Sequence, residues 1–198
     1  MASGRGSNAK ALMEKAGELS GIEIKCLISD NVDAPVLNLA SQFSVESFCF
    51  PVNKEIKNIP ARKLAQEEQI LTVMKEKKID WVLLAGYMRL LSAEFLAYFY
   101  DPKLKLNRVI NIHPSLLPKF KGANGYEQAF AAGEEVSGVT VHYVVPEMDS
   151  GPIILQAEFS KIAGETFETF KQRGLALEHQ VYPRVLAQLA EGSLCKNV

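Results

Sequence analysis

The chain has 198 residues, 47% of them hydrophobic and 23% charged, with 22 basic against 23 acidic side chains and a formal net charge of −1. That composition suits one globular domain with a real core, and without a basic surplus or a long basic run it argues against binding nucleic acid by phosphate neutralisation. Apolar stretches such as residues 81–86 and 153–155 fall far short of the roughly 18 residues of a membrane helix. The opening Met1-Ala2-Ser3-Gly4-Arg5-Gly6 has no apolar signal core, so the expectation is a cytoplasmic chain, neither secreted nor spanning a bilayer.

Strand and helix patterns alternate along the chain, the signature of a mostly parallel sheet covered by helices. Ile22, Ile24, Cys26 and Ile28 form one apolar face of a first strand, with Leu27 on the other. A helix follows from about Ala34, with Asp33 as its cap and Pro35 in its first turn. Residues 48–52 predict a short second strand. A long helix over residues 61–77 places Leu64, Leu71 and Met74 on its apolar face and ends in Lys75-Glu76-Lys77-Lys78, where positive charge meets the negative end of the helix dipole.

Trp81-Val82-Leu83-Leu84-Ala85 is apolar on both faces, as expected of a central strand. Ser92 caps a short helix to about Phe99, and residues 108–112 form a strand that runs into Asn111-Ile112-His113. A helix near residues 126–131 precedes two strands, 139–145 and 153–159, joined by a turn with Pro146 and Gly151. The last helix, residues 166–189, buries Phe167, Phe170, Leu177 and Val181, and Pro183 is expected to kink it. With no internal repeat or linker, one domain spans residues 1–198. Cys26, Cys49 and Cys195 are odd in number and lack CxxC spacing, which reads as reduced thiols and neither a disulfide framework nor a zinc site.

Three segments carry possible chemistry. Ser3-Gly4-Arg5-Gly6-Ser7-Asn8 opens a helix; two glycines let backbone approach an anion, and free N–H groups with the helix dipole supply counter-charge, although such a segment also serves as a plain cap. In Asn111-Ile112-His113-Pro114-Ser115, strand alternation sends Asn111 and His113 to one side at a strand's carboxyl end, where an amide and an imidazole can donate to one developing oxyanion. A histidine satisfied by nearby backbone is the alternative there, and it is the preferred reading for His142, inside a strand, and His179, within the last helix. In Pro146-Glu147-Met148-Asp149-Ser150-Gly151-Pro152, Asp149 either bonds its own turn or, if brought near His113, favours the imidazolium and holds a water for proton transfer.

Together and in this order, the Ser-Gly-Arg-Gly-Ser-Asn loop, the Asn-Ile-His-Pro-Ser-Leu-Leu-Pro block and the Met-Asp-Ser-Gly-Pro turn resemble the phosphoribosylglycinamide formyltransferases, folate-dependent enzymes of purine synthesis, from Ser3 to about Gly192. The resemblance implies a single-domain α/β Rossmann-like formyltransferase fold, with a mainly parallel sheet and helices on both faces. It implies a catalytic set of Asn111, His113 and Asp149 and a phosphoribosyl site at Gly6, Ser7 and Asn8, with Glu178 on a ribose hydroxyl. It also implies a folate pocket that includes Met88, Arg89, Leu90 and Leu91. The implied co-substrates are glycinamide ribonucleotide and 10-formyltetrahydrofolate, with no metal, no nucleic acid, no membrane, and a monomer or homodimer.

Two departures stand out. The family's short apolar strand before the loop is here missing or truncated to Met1 and Ala2, which predicts unpaired backbone in the neighbouring strands and suggests a start at an internal methionine. Asn124 stands where a histidine is frequent, and an amide has no acid–base role near neutral pH. Three alternatives remain. One is formyltetrahydrofolate deformylase, which Pro114 and the Ser-Gly-Arg-Gly-Ser-Asn loop disfavour. Another is methionyl-tRNA formyltransferase, which needs a further domain and a basic surface. The third is a non-catalytic phosphate-binding module.

Overall fold

The computed structural model describes residues 1–194, among which six helices and eight strands alternate. The helices are α1 (Ser7–Glu18), α2 (Pro35–Gln42), α3 (Ile59–Glu76), α4 (Ala93–Tyr98), α5 (Gly125–Ala131) and α6 (Phe167–Ala190). The strands are β1 (Leu27–Ser29), β2 (Ser47–Cys49), β3 (Val82–Leu84), β4 (Tyr100–Asp101), β5 (Leu106–Asn107), β6 (Val109–His113), β7 (Val136–Tyr143) and β8 (Ile153–Ser160). β1 and β2 pair in parallel, as do β3 and β6, while β7 and β8 add antiparallel to the far side of β6 and β4–β5 form a separate small hairpin.

Helices cover both faces of the mainly parallel sheet. Alternation along β3 sends Val82 and Leu84 into an apolar cluster with Ile70 and Met74 of α3 and Phe95 and Leu96 of α4. Leu83 and Ala85 join the opposite cluster, with Leu12 of α1 and Val181, Tyr182 and Val185 of α6. The expected central strand is therefore present, covered on each side as its double-sided apolar pattern requires.

Several local expectations hold and several change. Ser92 caps α4 through Phe95 N, Thr166 caps α6 through Thr169 N, and Pro35 occupies the first turn of α2. Asp33 is not the cap of α2: the capping position is Ala34, with no side-chain bond. α3 begins before Ala61, because Asn58 accepts from Ala61 N and Pro60 fits the first turn. Its buried stripe is Gln66, Glu67, Ile70 and Met74, and Leu64 is 46% exposed. Cys26 and Cys49 are free thiols whose pKa values are pushed up by burial; Cys195 lies outside the described residues.

The first strand is shorter than Ile22–Ile28 alternation suggests, and the cause is what lies beside it. Met1–Ser3 sits between β1 and β3: Ala2 N donates to Ile28 O, Ala85 N to Met1 O and Ser3 N to Gly86 O. This three-residue stub joins the two parallel halves of the sheet. Residues 22–26 have no pairing strand, so the apolar alternation there yields extended chain without a ladder. The gap opens as a cavity of about 700 Å³ whose walls include Ile22, Ile24, Trp81 and Leu83. The Met1 ammonium is buried against it, donating to Leu83 O at 2.7 Å.

Candidate active site

Asn111 and His113 are alternate residues at the carboxyl end of β6, and their side chains share a face. β7 runs antiparallel with Asn111 opposite His142 and His113 opposite Thr140, which places the His142 ring beside the Asn111 amide. Asn111 Nδ2 and His142 Nε2 are 3.3 Å apart. The chain then turns and returns to β8, and Asp149 in this turn has φ of 49°, a left-handed conformation that Asp tolerates. Gly151 is required two residues later, since a Cβ there would lie 1.8 Å from Tyr143 O.

The turn delivers Asp149 between the two imidazoles. Its Oδ2 is 3.4 Å from His113 Nδ1 and its Oδ1 is 3.6 Å from His142 Nε2. Gly122 N donates to Asp149 Oδ2 at 2.7 Å, fixing the carboxylate from the opposite loop. His113 Nε2 donates to Phe120 O at 2.8 Å. Both nitrogens of the His113 ring thus face acceptors, an arrangement that a doubly protonated ring satisfies on both sides. The three side chains scattered through the sequence, Asn111, His113 and Asp149, meet in one cleft of about 520 Å³ that Gly6, Ser7 and Asn8 also line.

Gly6 ends the phosphate-type loop in a left-handed conformation, φ 80°, and a Cβ there would lie 2.2 Å from Val36 Cγ2. Lys10 N makes the first helical bond, to Gly6 O, leaving the preceding N–H groups of α1 available to a ligand. The Asn8 side chain turns inward and donates to Glu178 Oε2, while Tyr126 donates to Glu178 Oε1 at 2.6 Å. Burial raises the pKa of Glu178 and these two donors oppose the rise. Glu178 therefore lines the cleft with both oxygens already engaged, and Asn8 Oδ1 is buried there without a partner.

The opposite wall carries the expected apolar segment. Met88 and Leu90 are 72% and 60% exposed in the cleft, whereas Leu91 faces the α3–α4 cluster. Arg89 Nε bonds Asp30 Oδ2 at 2.8 Å, Ser3 Oγ donates to Asp30 Oδ1 at 2.5 Å and Met88 N donates to Ser3 Oγ at 2.9 Å. One carboxylate thus ties this wall to the glycine loop. Asn124 also lines the cleft, at φ 63° ahead of α5, with no side-chain cap bond. Among the described residues no group of three His, Cys, Asp or Glu side chains could hold a metal ion.

His142 is the site residue that sequence reasoning missed. Its position inside a strand pattern points to structure, and only the β6–β7 register reveals its neighbour. Its Nδ1 bonds Tyr143 O at 2.9 Å, and burial lowers its pKa, partly offset by that bond. His179 lies on α6 away from the cleft, and its Nε2 has no partner.

The chain belongs to the formyl transferase family, whose model matches residues 1–186. Within that family it is similar to the phosphoribosylglycinamide formyltransferase of Bacillus subtilis, 39% identical over 95% of this chain and 91% of that protein. It is 37% identical to the trifunctional purine biosynthetic protein adenosine-3 of Bos taurus, covering 97% of this chain but 18% of that protein. The crystal structure of glycinamide ribonucleotide transformylase 1 from Geobacillus kaustophilus superposes with a TM-score of 0.85 at 37% identity, over 96% of this chain and 95% of that one.

Because Glu178 is buried with two donors, removing one leaves a carboxylate oxygen short of a bond. Tyr126→Phe is predicted to lower unfolding stability by about 1–3 kcal/mol, measured by denaturant titration. An unchanged midpoint would show that water replaces the Tyr126 hydroxyl.

Proposed function

We propose that the chain transfers the formyl group of 10-formyltetrahydrofolate to the amine of glycinamide ribonucleotide. The observation that carries this reading is the convergence of Asn111, His113 and Asp149 in a cleft that also receives the amino end of α1. Attack of the amine on the formyl carbon makes a tetrahedral centre with a negative oxygen, and an amide N–H of Asn111 and an imidazolium N–H of His113 are the donors suited to it. For His113 this requires Nε2 to turn from Phe120 O to the substrate oxygen, a tightening that accompanies substrate binding. Asp149, held by Gly122 N, faces His113 Nδ1 at 3.4 Å and orients a water that passes the proton from the attacking amine to the departing folate nitrogen.

The two ends of the cleft suit the two substrates. Free N–H groups at the start of α1 and the positive end of its dipole favour a phosphate, with the unpartnered Asn8 Oδ1 and the Glu178 carboxylate beside it for hydroxyl groups. Exposed Met88 and Leu90 with Met148 offer apolar surface to a pterin. The phosphate-type loop in the same cleft supports a phosphorylated acceptor over water, and hence a transferase over a deformylase. The reaction as proposed needs no metal, and we place it in the cytoplasm.

His113→Ala and Asp149→Asn are predicted to lower kcat for formyl transfer by about 100- to 1,000-fold, while calorimetry still detects glycinamide ribonucleotide at the loop. A variant within a few-fold of wild type would remove that residue from the mechanism. Folate release without the nucleotide would make the protein a hydrolase, and nucleotide binding without transfer would make it a binding module.

A further inference from the structure

We infer that His142 is a positioning residue for the proposed transfer: it locks the Asn111 side chain with its nitrogen, not its oxygen, toward the imidazole, leaving one amide N–H for the substrate oxygen. The inference rests on the formyl-transfer reading, and its argument is one of hydrogen-bond polarity. His142 Nδ1 lies 2.9 Å from Tyr143 O. A carbonyl oxygen only accepts, so the proton of the neutral ring sits on Nδ1 and Nε2 carries a lone pair. The partner of that lone pair is the Asn111 side chain at 3.3 Å. An amide turned the other way would set its oxygen lone pairs against the Nε2 lone pair, so the ring selects the orientation in which Asn111 donates.

Without that selection, the Asn111 oxygen and nitrogen are nearly equivalent in shape, and the flipped amide would present a carbonyl to a developing oxyanion. The selection also serves Asp149. Its Oδ1 is 3.6 Å from His142 Nε2 and its Oδ2 is 3.4 Å from His113 Nδ1, so two imidazoles compete for one carboxylate. A neutral His142, only 2% exposed, leaves that charge to His113. The groups that face His142 are Asn111 from β6, Asp149 from the turn and, farther off, His113; its β8 partner is Ile153, which does not titrate.

Two variants test the role. His142→Gln keeps an acceptor for the Asn111 amide, whereas His142→Leu removes it. We expect His142→Leu to lower kcat about 100-fold with KM for both substrates within about threefold, the size of a lost oxyanion donor. His142→Gln is expected to restore about a tenth of wild-type kcat or more. In an Asn111→Ala background, His142→Leu should cost less than about threefold further, because residues that act through one another are non-additive. A full loss in that background, or no rescue by His142→Gln in a folded variant, would overturn the inference.

Nitrogen-15 NMR of the wild-type protein keeps the test independent of whether the variants fold. At pH 7.5 His142 should show a protonated Nδ1 and an unprotonated Nε2; the reverse tautomer or an imidazolium would overturn the inference. Should the wild type fail to transfer formyl groups at all, the proposed reaction falls, and the tautomer still decides whether Asn111 donates to His142.

Discussion

The antiparallel pairing of β7 against β6 is the constraint on which the site depends. It is the point where the sheet changes from parallel to antiparallel, and it sets Asn111 opposite His142. A one-residue slip would send every side chain of one strand to the other face, separating the amide from the imidazole. The register is secured by burial, because seven of the eight residues of β7 are buried and β8 pairs along its other edge. Thr140 adds a local lock: its Oγ1 donates to Ser115 O and accepts from Leu117 N, so the loop leaving His113 is stitched to the strand beside it.

Parallel strands bring loops to their carboxyl ends, and here those loops are fastened to one another by a few charged groups. Asp30, after β1, accepts from Ser3 and Arg89 and so holds the glycine loop and the Met88–Leu90 wall in one relation. Asp149, after β7, accepts from Gly122 and faces two imidazoles. Glu178, projecting from α6, takes Asn8 and Tyr126. Each carboxylate has little exposure and directed partners, so each restrains geometry more than a surface ion pair would. The Met88–Leu90 wall, the glycine loop and the Asn111–His113–Asp149 cluster are positioned by these three acids across separate elements.

Met1–Ser3 bonds to strands on both sides next to this rigid region. Met1–Ser3 completes the ladder only at the end nearest the active-site loops, where Ala2 is buried and bonded to Ile28. Farther along, residues 22–26 and Trp81 border a cavity instead of a strand. The glycine loop is nevertheless anchored on both sides, by Ile28 O through Ala2 N and by Gly86 O through Ser3 N.

The sequence alone determined what depends on neighbours along the chain. Period and capping located α4, α5, α6, β3 and β6, and alternation placed Asn111 and His113 on one face, because these features arise within a few residues. The order of three short motifs pointed to the family for the same reason. It misjudged the strand at Ile22–Ile28 and the burial of Leu64, since a ladder needs a partner and a helix face needs something to cover it. Only the tertiary structure decided that Asp149 stands between His113 and His142, that Glu178 is held by Asn8 and Tyr126, and that His142 belongs to the site. Apart from Asp149 and His142, which are close in the chain, those contacts join residues 31 to 170 positions apart; at such separations the register of paired strands and the packing of helices, not local preference, set which polar groups meet.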